Sequence, residues 1–229
     1  MSLQPPKATR IFRMREKFAL LVSERARTIL FEELLLFDMH CVIFAGGKSS
    51  RMGEDKSLLP FGDCPTLAQF QYNRLTKLFT HVSVSTKSAD KFNFAADFLL
   101  DPNEADYAPT AGFVSAFRTI DADRILVLSV DTPFVDDTVF QSLIDADEAG
   151  LDAIIARTAT GSHPLCGIYH RSLLEEFERM LREGDHRLGK LLASSKARYV
   201  EFENEELFAN LNHPHEYQEA LSRFCAPNK

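Results

Sequence analysis

The chain has 229 residues, of which 45% are hydrophobic and 26% are charged, a composition typical of a soluble globular protein. Its formal net charge of −7 argues against general affinity for nucleic acid or anionic membranes, because both depend on a basic surface. Its four cysteines lie far apart, which argues against a structural zinc site and is typical of reduced thiols. No apolar stretch approaches the roughly 20 residues needed to span a bilayer, so we expect a cytoplasmic protein with neither nucleic-acid nor membrane partners.

The first 38 residues are predicted to form a helical N-terminal extension. Apolar side chains between residues 11 and 37 fall broadly at helical spacing with charges between them, which predicts one or two amphipathic helices. Nucleotide-binding α/β domains often begin their first strand within a few residues of their start, and here that strand follows Met39. Two interpretations of residues 1–38 therefore stay open. They are either upstream translated sequence or a tag before a true start at Met39, or a native helical appendage. The second predicted domain spans 39–229.

From residue 40 onward, short β-rich runs alternate with segments of helical periodicity. This alternation predicts parallel strands joined by right-handed crossovers, and therefore a three-layer α/β/α sandwich with a mostly parallel sheet. Ligands of such sheets bind beyond the carboxyl ends of the strands. The predicted strands are 41–44, 82–85, 98–100, 125–130, 153–156, 167–169 and 198–202. The predicted helices are 66–79, 111–120, 137–148, 171–183, 187–195 and 214–224.

The first predicted strand leads into FAGGKSSRMGEDK, residues 44–56, which combines adjacent glycines with cationic and acidic side chains. Gly46 and Gly47 let the backbone turn sharply and bring its amide groups close to a ligand. Arg51 and Lys56 are cations suited to phosphate oxygens. The spacing matches neither the Walker-type phosphate loop nor the dinucleotide-binding motif. Taken alone, the stretch is therefore better interpreted as a solvated surface loop.

Acidic and amide side chains follow several of the predicted strands. Asp101 and Asp131 each come directly after an apolar run, where a carboxylate suits Mg²⁺ or, taken alone, a helix N-cap. A cationic glycine loop at the same sheet edge favours the metal, because cations and Mg²⁺ together suit a nucleoside triphosphate. Near the end, Asn210 and Asn212 point the same way if ANLNHP is extended, and Asn212 alternatively caps the last helix.

The glycine loop resembles the (L/V)-A-G-G-x-S-x-R-M-G-x-D-K signature of the MobA-like nucleotidyltransferases. DPNEADYAPTAGFVSAF, VDTPF, HPLCGIYH and NLNHP follow in that family's order and spacing, and the resemblance covers almost all of residues 40–225. The late N-x-N-x-P element favours molybdopterin over a sugar phosphate, and the chain as a whole resembles the branch that transfers guanylate to the molybdenum cofactor. Two departures stand out. The family's G-P-L-A-G is A-P-T-A-G here and one residue shorter after Tyr107, and Phe44 replaces the common Leu.

The resemblance implies a Rossmann-like nucleotidyltransferase fold that uses Mg²⁺ and transfers GMP from GTP to molybdopterin, releasing pyrophosphate. It places Lys56, supported by Arg51, on the nucleotide phosphates and Asp131 on the metal. Asn210 and Asn212 would lie on the molybdopterin side. The remaining implied nucleotide contacts are Phe44, Ala45, Gly46 and Gly47 at the strand–loop edge, Ser85 where relatives commonly carry Asn, and Asp101 at the nucleoside. Other cofactor-biosynthesis proteins and molybdoenzyme chaperones are the candidate protein partners.

Three alternatives stay open. Within the same fold, the chain could use CTP with molybdopterin, or charge a sugar or alcohol phosphate. In a different class, it could be a non-catalytic nucleotide-binding adaptor that docks through residues 1–38. The joint presence of Arg51, Lys56, Asp101 and Asp131 favours catalysis, since a binding module would not need both the cations and the metal acid.

Overall fold

The computed structural model describes residues 36–46, 54–101 and 108–225. The predicted N-terminal helices up to residue 35, and Gly47 and Arg51 of the glycine loop, lie outside the described residues. Within the described ranges, no helix combines the length and the apolar character that crossing a membrane requires.

The described part of the chain forms a seven-stranded sheet in the order β3-β2-β1-β4-β6-β5-β7. Parallel pairing joins β1 to β4, β2 to β3 and β5 to β7, whereas β6 runs antiparallel to both β4 and β5. The mostly parallel sheet predicted from the alternating pattern is confirmed. The strands are β1 Phe37–Phe44, β2 Phe79–Thr86, β3 Asp97–Leu100, β4 Arg124–Ser129, β5 Ala153–Thr158, β6 Gly161–His170 and β7 Ala197–Glu201.

The helices lie close to their predicted positions. The predicted helix 66–79 ends early, at Leu75, because the apolar run that follows enters β2, where Phe79 is buried with its ring 5.2 Å from that of Phe140. The predicted helix 171–183 begins with a 3₁₀ turn, Arg171–Leu173. The helices are α1 Leu67–Leu75, α2 Pro109–Thr119, α3 Asp137–Asp145, α4 Leu174–Glu183, α5 Leu188–Ser194 and α6 Pro214–Cys225.

Strand β6 is longer than predicted and forms a hairpin with β5. The sequence indicated only residues 167–169, because Pro164 cannot donate to a ladder and interrupts the β pattern. In the structure the register between the two strands shifts after Ile155, so Pro164 falls in the irregular stretch and breaks no regular ladder. The hairpin turn consequently lies at the carboxyl end of β5.

The order of the strands creates a switch point between β1 and β4. The chain runs outward from β1 to β2 and β3, then returns to place β4 beside β1. Just beyond the paired strands, the Val130 amide donates to the Phe44 carbonyl at 3.0 Å. The Phe44 ring packs 4.9 Å from that of Phe113 on α2, which anchors the end of β1 in the core. Ligands of open α/β sheets bind at such switch points, so a ligand is expected at this edge.

Candidate active site

Lys56 joins three distant parts of the chain at the switch point. It is the first residue of a 3₁₀ helix, Lys56–Leu58, whose N-cap is Asp55. Its Nζ donates to Asp131 Oδ2 at 2.9 Å and to Asn212 Oδ1 at 2.7 Å. The side chains of the charged pair are only 15% and 16% exposed. A cation, a carboxylate and an amide therefore meet in a shielded position at the ligand edge of the sheet.

Asp131 is held by contacts on both its carboxylate and its main chain. Oδ1 accepts a hydrogen bond from Ser129 Oγ at 2.6 Å, and the backbone carbonyl accepts from the Leu211 amide at 3.0 Å. The helix that follows, α3, is capped instead by Asp136, whose Oδ1 accepts from the Thr138 amide at 3.2 Å. The structure thus assigns the capping role to a different acid and directs the Asp131 carboxylate toward Lys56.

A buried glutamine and a partly buried arginine on α1 support the Asp131 segment. Gln71 is fully buried, and its Nε2 donates to the carbonyls of Val130 at 3.3 Å and Thr132 at 3.1 Å, on either side of Asp131. Arg74 donates in turn to Gln71 Oε1 at 2.7 Å. Burial lowers the pKa of Arg74 to about 10, so it stays charged near neutral pH. The sequence analysis missed both residues, although polar side chains three positions apart among the apolar positions of a helix are a usable signal.

Ser85 and Asp101 form a second polar group at the ends of β2 and β3. Ser85 is buried, and its Oγ donates to Asp101 Oδ1 at 3.0 Å. Burial raises the pKa of the Asp101 carboxyl, an effect that the Ser85 hydrogen bond and the charges of Lys87 and Lys91 partly offset. The carboxylate thus receives its nearest support from a hydroxyl rather than from a cation.

The Ser85–Asp101 group lies close to the backbone at the start of the glycine loop. The Ala45 amide donates to the Ser85 carbonyl at 2.9 Å. A Cβ at Gly46 would lie 3.2 Å from Asp101 Oδ2, and one at Gly112 would lie 2.7 Å from Ser85 Oγ. Glycine at both positions therefore leaves room for the two side chains.

The two asparagines predicted near the chain end differ in their contacts. Asn212 is half-buried and touches Lys56, whereas Asn210 is exposed. Glu216 Oε2 accepts from the Asn212 amide at 2.6 Å and from the His213 amide at 2.8 Å, which fixes the segment at the start of α6. Helix α6 begins at Pro214, where the missing N–H of proline costs little.

The β5–β6 hairpin contacts the residue that directly precedes this asparagine segment. The His163 ring stacks on Phe208 with centroids 4.5 Å apart, and Phe208 ends the 3₁₀ helix just before ANLNHP. His163 Nε2 also lies 3.1 Å from Thr158 Oγ1. Burial lowers the pKa of His163, which favours the neutral ring. The sequence analysis gave this histidine no role of its own and missed its contact with Phe208.

The side chains of the candidate site suit a divalent cation that takes most of its ligands from waters and substrate phosphates. Across residues 36–46, 54–101 and 108–225, no group of three or more His, Cys, Asp or Glu side chains could hold a metal ion. Asp131 supplies one carboxylate, and Mg²⁺ is typically held by one or two carboxylates together with waters and substrate phosphates. The side chains present therefore fit Mg²⁺ recruited together with a nucleotide.

Comparisons with known proteins identify a matching family and matching folds. Residues 41–200 match the sequence profile of the MobA-like NTP transferase domain. The molybdenum cofactor guanylyltransferase of Campylobacter jejuni subsp. doylei is 39% identical over 188 residues, which cover 82% of this chain and 97% of that protein. The crystal structure of molybdopterin-guanine dinucleotide biosynthesis protein A from Archaeoglobus fulgidus superimposes with a TM-score of 0.71 and 22% identity, covering 81% and 98% of the two chains. A manganese complex of a Mycobacterium tuberculosis protein shares the fold with a TM-score of 0.62 and 19% identity, covering 81% and 99%.

Proposed function

This chain belongs to the MobA-like NTP transferases, and we propose that it transfers GMP from GTP to molybdopterin with release of pyrophosphate. The main observation that supports the proposal is that Lys56 donates hydrogen bonds to both Asp131 and Asn212 at the predicted ligand edge of the sheet. The proposal assigns these three residues to the nucleotide phosphates, the divalent metal and the acceptor side respectively. The 39% identical relative, matched over nearly its whole length, supports the choice of guanylate and of molybdopterin.

The chemistry requires charge neutralisation rather than a catalytic base. The terminal phosphate of molybdopterin attacks the α-phosphorus of GTP in line, a new P–O bond forms, and the bond to pyrophosphate breaks. A phosphate monoester has a second pKa of about 6, so the attacking oxygen is largely ionised near neutral pH. Lys56, assisted by Arg51, would stabilise the negative charge that develops on the leaving pyrophosphate. Asp131 would hold Mg²⁺, which when bound offsets charge on the phosphates.

The nucleoside would lie against the Ser85–Asp101 group. The Asp101 carboxylate offers two acceptor oxygens to the hydrogen-bond donors of a base or ribose. Phe44, Ala45 and Gly46 would contribute main-chain atoms from the neighbouring strand end. Ser85 already donates to Asp101, so in this proposal it orients the carboxylate as well as lining the site.

Pyrophosphate release tests the proposal directly. We would measure it in the presence of Mg²⁺ with GTP, CTP, ATP or UTP, each with and without molybdopterin, and with a chelator as the metal control. The expected result is release that is selective for GTP and depends on molybdopterin and on the divalent ion. Release selective for CTP, or release driven by a sugar phosphate, would indicate one of the related transferases. Nucleotide binding without any release would contradict catalysis and support the adaptor.

A further inference from the structure

Lys91 links the two stems of the glycine loop. It lies in the connection between β2 and β3, and its Nζ donates to Asp55 Oδ2 at 2.7 Å, to Ser57 Oγ at 3.2 Å and to the Ala45 carbonyl at 3.3 Å. Ala45 directly follows β1, whereas Asp55 and Ser57 belong to the turn that carries Lys56. An ammonium has three N–H donors, so these contacts occupy all of them.

The carboxylate that Lys91 holds is the cap of the Lys56 turn. The other oxygen of Asp55, Oδ1, accepts from the Ser57 amide at 3.0 Å and from Ser57 Oγ at 2.7 Å. Ser57 is itself buried, so the turn has little freedom at this point. The Lys91–Asp55 pair is partly shielded, with side chains 23% and 33% exposed, and the Phe92 ring lies 4.8 Å from the ammonium. The pair therefore fixes the cap of the turn to the end of β1.

We infer that Lys91 is a positioning residue that acts through Lys56, an inference that rests on the proposed nucleotide transfer. The donors of Lys91 are directed at protein atoms, so its contribution to phosphate binding is indirect. The Lys56 ammonium sits at hydrogen-bond distance from Asp131 and Asn212, and a displacement of about 1 Å would break both contacts. Misplacement of that size can cost about 100-fold in a reaction that depends on alignment.

A double-mutant cycle on GTP binding distinguishes this role from a direct contact. We would measure the dissociation constant of GTP with Mg²⁺ by calorimetry for the full-length chain, Lys91→Met, Lys56→Met and the double variant. Lys91→Met is expected to weaken binding about 10-fold in the parent chain. In the Lys56→Met background it is expected to change binding less than about twofold, because the group that Lys91 positions is gone. Additive losses, or no loss from Lys91→Met alone, would overturn the inference.

Two further variants control for charge and for folding. Lys87→Met removes a neighbouring cation whose charge, like that of Lys91, lowers the pKa of Asp101. This variant should leave the dissociation constant of GTP within about threefold of the parent value. An equal loss in this control would assign the effect to long-range charge and overturn the inference. Asp55→Asn keeps an oxygen to cap the turn but removes the charge facing Lys91, and it should reproduce the loss even if Lys91→Met does not fold. Asp55→Asn that binds like the parent would contradict the inference.

The same experiments distinguish failure of the proposed function from failure of the Lys91 inference. If the parent chain binds GTP and shows the non-additive cycle but releases no pyrophosphate with molybdopterin, the function is wrong and the role of Lys91 stands. If it binds another nucleoside triphosphate instead, a non-additive cycle with that nucleotide supports the role of Lys91, and additive losses overturn it. A chain that binds no nucleoside triphosphate would overturn both.

Discussion

The two ends of the candidate site are built on different electrostatic principles. At the switch point, Lys56 and Asp131 neutralise each other and Asn212 completes the contact. At the ends of β2 and β3, the Asp101 carboxylate is buried against the Ser85 hydroxyl, and burial raises its pKa. The first end holds opposite charges together, and in the proposed function these charges would bind a charged substrate. The second maintains an acceptor at a cost in folding stability, because the ionised form of a buried carboxyl is disfavoured.

This difference predicts that substitutions at the two ends are detected by different measurements. Changes at the switch point should reduce turnover with small effects on folding. A change at the second end should alter how stability depends on pH. The three predictions that follow begin with the largest expected effect.

Asp131→Asn is expected to reduce Mg²⁺-dependent pyrophosphate release by more than about 1,000-fold. The neutral amide is a poor ligand for a hard cation, and several kcal/mol of charge stabilisation depend on the bound metal. The measurement is the initial rate across a series of Mg²⁺ concentrations. The matched control is Asp136→Asn at the cap of α3, which should keep its activity because Asn caps a helix about as well as Asp. Near-parental activity in Asp131→Asn would exclude it as the metal ligand.

Lys56→Ala is expected to lower kcat by about 100- to 1,000-fold, the loss typical of removing one group that stabilises developing charge. The free energy of unfolding should change by only about 1–2 kcal/mol, since Asp131 keeps its hydrogen bond from Ser129 when the ion pair is lost. Steady-state kinetics and urea unfolding check the two parts. Lys190→Ala serves as the control, because that lysine pairs with Asp185 on an exposed surface and should not affect kcat. An unchanged rate in Lys56→Ala would remove Lys56 from the phosphate site.

Asp101→Asn is expected to stabilise the fold at pH 7, and the gain should shrink as the pH falls. Burial raises the pKa of Asp101 in the folded chain, so between the unfolded and folded pKa values the native state binds more protons. The free energy of unfolding therefore falls as the pH rises through that interval, and the ionised carboxylate costs stability above it. The amide carries no charge and its oxygen still accepts from Ser85.

Urea unfolding at several pH values tests this prediction. The control is Asp97→Asn, which alters an exposed carboxyl that accepts from Ser83 on the same pair of strands. The electrostatic explanation would be contradicted if the gain in unfolding free energy of Asp101→Asn over the parent chain did not change with pH. An equal gain in Asp97→Asn would contradict it as well. Weaker nucleotide binding in Asp101→Asn at unchanged kcat would further separate this end of the site from the switch point.

The order of the helices and strands, and the sheet edge at which the strands end, could be predicted from the local sequence pattern. Alternating β-rich and helical periodicity predicted the mostly parallel sheet, because residues spaced along one element determine which of its faces is apolar. Asp101 and Asp131 could be placed at strand ends for the same reason. The antiparallel insertion of β6 was not predicted, since Pro164 hides the first half of that strand and its pairing depends on two other strands.

The supporting residues escaped the sequence analysis because their partners are remote. Gln71 contacts carbonyls that lie 59 and 61 positions away, and Lys91 reaches back 36 positions to Asp55. The local pattern can mark a polar residue such as Gln71 among apolar positions, but it does not identify the acceptor of its hydrogen bond. Only the strand order brings these atoms into hydrogen-bond distance.

By itself, the sequence determined the fold class, the edge at which ligands are expected to bind, and the resemblance that indicated nucleotidyl transfer. Tertiary structure alone decided that Lys56 bridges Asp131 and Asn212, which lie 75 and 156 positions further along the chain. It also decided that Asp136 caps α3 while Asp131 turns toward the site. The physical reason is that periodicity reflects the face of a single element, whereas hydrogen bonds between elements depend on strand order and register, which are determined only when the whole sheet assembles.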